Sequence, residues 1–100
     1  MIKGFVSHTS GKIGSFSYQI GMLNGVFPTL VIDLKKDGRA IGNFHVGDLI
    51  ELENGEAVRV ICAQGGFLKV QPSDPLLADA SVLVKALPEI LQIASSAVLQ

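Results

Sequence analysis

The stretch His45–Pro72, HVGDLIELENGEAVRVICAQGGFLKVQP, decides the fold. Within it Leu49–Leu52, Glu56–Cys62 and Phe67–Gln71 are rich in β-branched and alternating apolar residues, while Glu53-Asn54-Gly55 and Gln64-Gly65-Gly66 supply turn chemistry between them. The spacing predicts a three-stranded meander whose register turns on the first loop. A two-residue loop at Asn54-Gly55 sets Ile50 on a face with Arg59 and Glu51 with Val58. A three-residue loop, with Gly55 in the left-handed region, sets Ile50, Leu52, Val58, Val60 and Cys62 on one face and Glu51 and Arg59 on the other. Only the second register gives each strand one apolar and one polar side, so it is the one expected.

Upstream, the chain alternates between β-formers and turn residues. Ile2–Ser7 reads as a strand, His8–Lys12 (HTSGK) as a turn centred on Ser10-Gly11, and Ile13–Ile20 as a second strand carrying Ile13, Phe16, Tyr18 and Ile20. Gly21–Gly25 (GMLNG) reads as a loop around Asn24-Gly25. VFPTLVIDL returns as a third strand, with Pro28 at a sheet edge or at the strand's beginning because it has no N–H to donate. Lys35–Asn43 is the most polar stretch, with Asp37-Gly38 as its turn.

From Ser73 the period changes. Asp74-Pro75 is a helix start, an N-cap followed by proline at the first helical position. Leu76, Ala80, Leu83 and Leu87 then share a stripe, Pro88 ends or kinks the helix, and Ile90, Leu91, Ala94, Ala97 and Val98 form a second stripe. Ser81–Ala86 has a rival reading as a strand, since Val82 and Val84 are β-branched. The expected architecture is mainly β: a small barrel or sandwich of six to seven strands over residues 1–73, SH3-like or similar. A C-terminal apolar helical segment, 74–100, kinked near Pro88, packs on that barrel or on a neighbouring subunit.

One hundred residues hold one domain, yet 48% are hydrophobic and 17% charged, against about 25% charged in an average soluble domain. So small a globule has little interior in which to hide that much apolar side chain, which predicts a homo-oligomer. The tail is the expected interface, through Leu76, Leu83, Leu87, Ile90, Leu91, Ile93 and Val98. A net charge of −1 leaves no electrostatic footprint for nucleic acid or anionic lipid. Cys62 is alone, so neither an intrachain disulfide nor a cysteine metal cluster is expected. The opening MIKGFVSH has glycine and histidine where a secretory leader needs an apolar core. No membrane span is expected, because Lys85 and Pro88 interrupt the tail and Ile90–Leu99 is about half of the ~20 residues a spanning helix needs.

Residues capable of chemistry are few. His8 and His45 are not at ligand spacing with Asp, Glu or Cys, and a metal site needs three or four converging ligands. The hydroxyls of VSHTSGK are turn residues before they are nucleophiles. GKIGSF and AQGGF carry glycines, but strands follow both, where a phosphate-binding loop needs a helix N-terminus. Phe5, Phe16, Tyr18, Phe27, Phe44 and Phe67 are potential stacking residues, and Lys3, Lys12, Lys35, Lys36, Arg39 and Lys69 potential phosphate contacts. Acids scattered among these cations argue against nucleic acid. No catalytic residue, metal or cofactor is expected.

Three segments resemble known families. FHVGDLIELENGEAVRVICAQGGFLKVQ, Phe44–Gln71, resembles the small β-barrels of tailed-phage virions, particularly head-to-tail joining and stopper proteins, in which a Gly-Asp opens a strand, a turn follows and a valine-rich strand returns. That resemblance implies rings of copies whose loops and edge strands make the contacts, and it carries over no catalytic residue. GGFLKVQPSDPLLAD, Gly65–Asp79, is similar to a β-sandwich segment of the epsilon subunit of the rotary ATP synthase, which implies a monomer joining a larger partner through its sheet. The terminal SAVLQ resembles the sequence after which coronavirus main proteases cut, and the small RNA-binding replicase subunit of those viruses is a barrel with a packing helix. This implies a single-strand-binding barrel. The expected function is therefore a non-enzymatic structural subunit of a symmetric assembly, set in a virion as a head-to-tail connector or capsid cement protein and joined to a larger structural partner. A cytoplasmic setting is the alternative.

Overall fold

A computed structural model describes residues 4–53, 55–74 and 80–98, with the backbone alone for residues 36, 40, 80 and 96–98. Its elements in chain order are β1 (Phe5–Ile13), β2 (Phe16–Leu23), β3 (Phe27–Asp33), a short hairpin of β4 (Lys35–Lys36) and β5 (Arg39–Ala40), then β6 (Leu49–Glu51), β7 (Ala57–Gln64), β8 (Phe67–Pro72) and the helix α1 (Ala80–Val98). Two antiparallel meanders, β1-β2-β3 and β6-β7-β8, join side by side through β3 and β8 into one six-stranded sheet of order β1-β2-β3-β8-β7-β6. The fold is mainly β with a C-terminal helix, as the sequence predicts. The sheet is open rather than closed into a barrel: β1 and β6 stand at its two edges.

The deciding stretch folds in the predicted register. Ile50 pairs with Val58 and Leu49 with Arg59, and the Leu52 N–H donates to the Glu56 carbonyl, so the turn is closed between Leu52 and Glu56. Gly55 sits at φ 87°, the left-handed region that turn requires. Pro28 falls near the beginning of β3, outside the Leu30–Asp33 ladder with β8.

Three expectations are corrected. His8–Lys12 is not a turn: β1 runs through it, and the chain reverses at Gly14-Ser15, where Gly14 takes φ 61° and Ile13 pairs with Phe16. Gly11 stays in the strand because its missing side chain makes room for the ring of Tyr18 on the paired strand; a Cβ there would lie 3.0 Å from the Tyr18 hydroxyl. Met22 and Leu23 continue β2 rather than looping, and the reversal is confined to the Asn24-Gly25 region. A bulge between Val60 and Cys62 puts Cys62 opposite Lys69, on the face away from Val60. Ser81–Ala86 is helix, as its apolar stripe predicts, rather than the rival strand, and of the two outcomes expected at Pro88 the helix does not end there. Pro88 removes the N–H that would reach the Val84 carbonyl, but both residues are exposed, on the solvent side of the helix, where losing that bond costs least. The expected helix start at Pro75 and strand start at Ile2 lie outside the described residues.

The core lies between α1 and one face of the sheet. Leu30, Ile32, Leu68, Val70, Val58, Val60, Ile50 and Ile20 meet Val82, Leu83, Ala86, Leu87, Ile90 and Ala94 of the helix. Each fully buried Leu, Ile or Val contributes about 1.5–3 kcal/mol relative to exposure, so the helix is held by its own sheet. Phe16, Tyr18, Ile41 and Phe44 fill the margins.

Candidate functional site

Because side chains alternate along a strand and paired residues share a face, the register fixes what the uncovered face carries. One row crosses five strands as Ser10, Gln19, Val31, Lys69 and Cys62. Beside it Lys12 pairs with Ser17, Asp33 with Phe67, and Phe67 in turn with Gln64. At the far end Phe5, Leu23 and Phe27 line up across β1, β2 and β3. These rows bound an open groove of about 950 Å³ with β1 on one side, β7 and β8 on the other, and Gln19, Val31 and Asp33 on its floor.

The strand at that wall is brought close by one glycine. A Cβ on Gly21 would collide with the Val6 carbonyl oxygen and the Ser7 backbone of the paired strand, so only glycine allows β1 to lean over β2 at the register break between Ser7 and Thr9. Thr29, the one buried polar side chain among the described residues, is fully covered on this face: its hydroxyl donates to the Phe27 carbonyl at 2.9 Å and accepts from Gln71 Nε2 at 3.0 Å.

Charges in the groove are asymmetric. Asp33 is engaged by Lys35, whose ammonium is 4.0 Å from Oδ2 and whose N–H donates to Oδ1 at 3.1 Å. The same ammonium stands 4.8 Å from the centre of the Phe67 ring. Lys12 and Lys69 make no ion pair among the described residues.

The sequence-stated candidates are scattered. Of the tail residues expected at an interface, Leu83, Leu87 and Ile90 are buried in the chain's own core and Leu91 packs against it; Ile93 alone is open, at 42% exposure. The correction has a simple cause: an open sheet leaves one whole face bare, and the apolar stripe of the tail is the layer that covers it. Leu76 lies outside the described residues, as does the side chain of Val98. Among the potential stacking residues, Phe16, Tyr18 and Phe44 pack against the core, and Phe5 and Phe67, with Tyr18 beside them, line the groove. His8 belongs to the β1 edge and His45 to the loop before the β6 edge, so they do not converge. Among the described residues no three His, Cys, Asp or Glu side chains gather in one place, and no helix is long and apolar enough to cross a membrane.

Two features escape a reading of the sequence alone, the β1 edge and the groove. β1 is nine residues long and pairs on one side only among the described residues. At its Phe5 end, Val6 and Val26 are 61% and 65% exposed and Phe27 46%, an apolar tip. Comparison with protein families, curated proteins and solved structures gives no match to this chain.

Proposed function

We propose that the chain is a non-enzymatic structural subunit of a symmetric assembly, joined to its neighbours through the β1 edge and the apolar tip beside it. The observation that carries this reading is the long unpaired edge. Along nine residues of strand, about 30 Å, alternate residues present outward N–H and C=O groups with no proline and, among the described residues, no covering element, and such an edge is a template for another strand. Exposed Val6, Val26 and Phe27 add apolar contact at one end. A stable contact hides about 800 Å² on each partner, a scale that a strand pair and its flanking side chains together approach.

The assembly is driven by main-chain pairing and tip burial rather than by the tail, whose apolar stripe is already used within the chain. The virion setting, as a head-to-tail connector or capsid cement protein with a larger structural partner, rests on the likeness of residues 44–71 to phage barrels. Edge strands make the contacts in that group.

Light scattering tests the reading. The intact chain is expected to have a mass that is a multiple of 10.6 kDa, and Val6→Lys, which places a charge on an exposed tip position, is expected to return it toward a single chain without loss of fold. A mass of 10.6 kDa for the intact chain at its highest soluble concentration overturns it.

A further inference from the structure

We infer that the groove on the uncovered face binds one compact amphipathic anion: a carboxylate, phosphate or sulfonate head on a flat apolar body. Its volume, about 950 Å³, is at the upper end of the 300–1,000 Å³ typical of small-molecule sites. Its walls join apolar surface from Phe5, Val31 and Phe67 to a few polar groups, the usual composition of such sites.

Charge decides the sign of the ligand. Among the described residues the one carboxylate lining the groove, Asp33, is already held by Lys35, whereas Lys12 on the β1 wall and Lys69 on the β8 wall are left without an ion pair. Two uncompensated ammonium groups facing one concavity with low-dielectric walls focus a positive potential into it. An anionic head between them gains attraction from both. A phenyl ring at the rim, Phe67 at 42% exposure with the Lys35 ammonium 4.8 Å from its centre, gives the apolar body the rest of its exposed surface to lie on.

Geometry favours a compact ligand over a strand of nucleic acid. Phe5 lies toward the Leu23–Phe27 end of the sheet and Phe67 opposite Asp33, six residues further along β3, or about 20 Å. Successive bases need stacking faces at closer intervals, and the other aromatic side chains are packed on the core or set at the tip.

Two dyes of one shape test the inference: anilinonaphthalene sulfonate, an aryl anion, and phenylnaphthylamine, the same aromatic body without the charge. The sulfonate is expected to bind one per chain, with amide shifts confined to residues on the groove rows such as Gln19, Val31 and Lys69. Lys12→Gln and Lys69→Gln are each expected to weaken it about threefold to fivefold, the scale of one exposed ion pair, and to leave the uncharged dye unaffected. Added salt weakens the sulfonate alone. Equal binding of the two dyes overturns the inference, as do unchanged affinity in both lysine variants or shifts centred on Val26 and Phe27. An oligonucleotide that binds more tightly than the dye and displaces it also overturns the compact-ligand assignment. Val26→Lys, outside the groove, separates this site from the assembly contact: it is expected to leave the dye affinity within twofold whether or not the chain remains an oligomer.

Discussion

Neighbouring residues on the same strands have opposite fates. Along β3, Leu30 and Ile32 are sealed under α1, while Val31 and Asp33 look into the groove; along β8, Leu68 and Val70 are sealed while Phe67 and Lys69 are not. Both faces are built from the same backbone and the same hydrogen bonds. They differ in what covers them. One face is aliphatic and, among the described residues, without a polar side chain in its buried cluster; the other mixes lysine, aspartate, glutamine and serine with two phenyl rings. The comparison separates residues that make the fold from residues that the fold presents.

That separation can be broken by substitution. The largest effect is expected at Ile90→Ala, which opens a cavity in the middle of the sealed layer and should cost about 2–5 kcal/mol in denaturant unfolding. A loss under about 1 kcal/mol would mean that the helix does not hold the sheet as described. Gly21→Ala is next: its methyl group meets the backbone of Val6 and Ser7, and overpacking of this kind costs about 1–3 kcal/mol, with amide exchange in β1 rising more than in β8. Uniform exchange would show that β1 does not depend on that close approach.

Thr29→Val sharpens the contrast, since it tests a buried polar side chain on the open face. Gln71 loses its acceptor and the Phe27 carbonyl its donor, which should cost about 1–2 kcal/mol despite equal volume. Smallest is Phe67→Ala. Its half-exposed ring belongs to the presented face, so stability should change by less than about 1 kcal/mol. If it costs as much as Ile90→Ala, the two faces are not different in kind.

How much of this was legible beforehand follows from the physics of each element. The β6-β7-β8 register could be read because alternation at Ile50, Leu52, Val58 and Val60 is a local signal, and a one-residue slip would turn every one of them outward. Cys62 could not be placed, because a bulge adds a residue without altering the composition of the strand. The span of β1 was hidden by His-Thr-Ser-Gly, residues that suit a turn when read alone; only the Tyr18 ring across the pair explains why Gly11 sits in a strand.

The tail teaches the same lesson from the other side. Its stripe was visible, but an apolar stripe does not state what it will touch, and the bare face of an open sheet supplied a partner within the chain. The groove was invisible because Gln19, Val31, Lys69 and Cys62 are far apart in sequence. Pairing four strands brings them into one row.

Hydrogen exchange followed as a function of protein concentration tests the central claim most directly: that α1 closes one face inside the chain and β1 is the edge joined to a neighbour. The account predicts that amides of β1 between Phe5 and Ile13 are protected when the protein is concentrated and exchange faster on dilution, while those of α1 keep the same protection throughout. Protection in α1 that falls on dilution, with β1 unchanged, would contradict it.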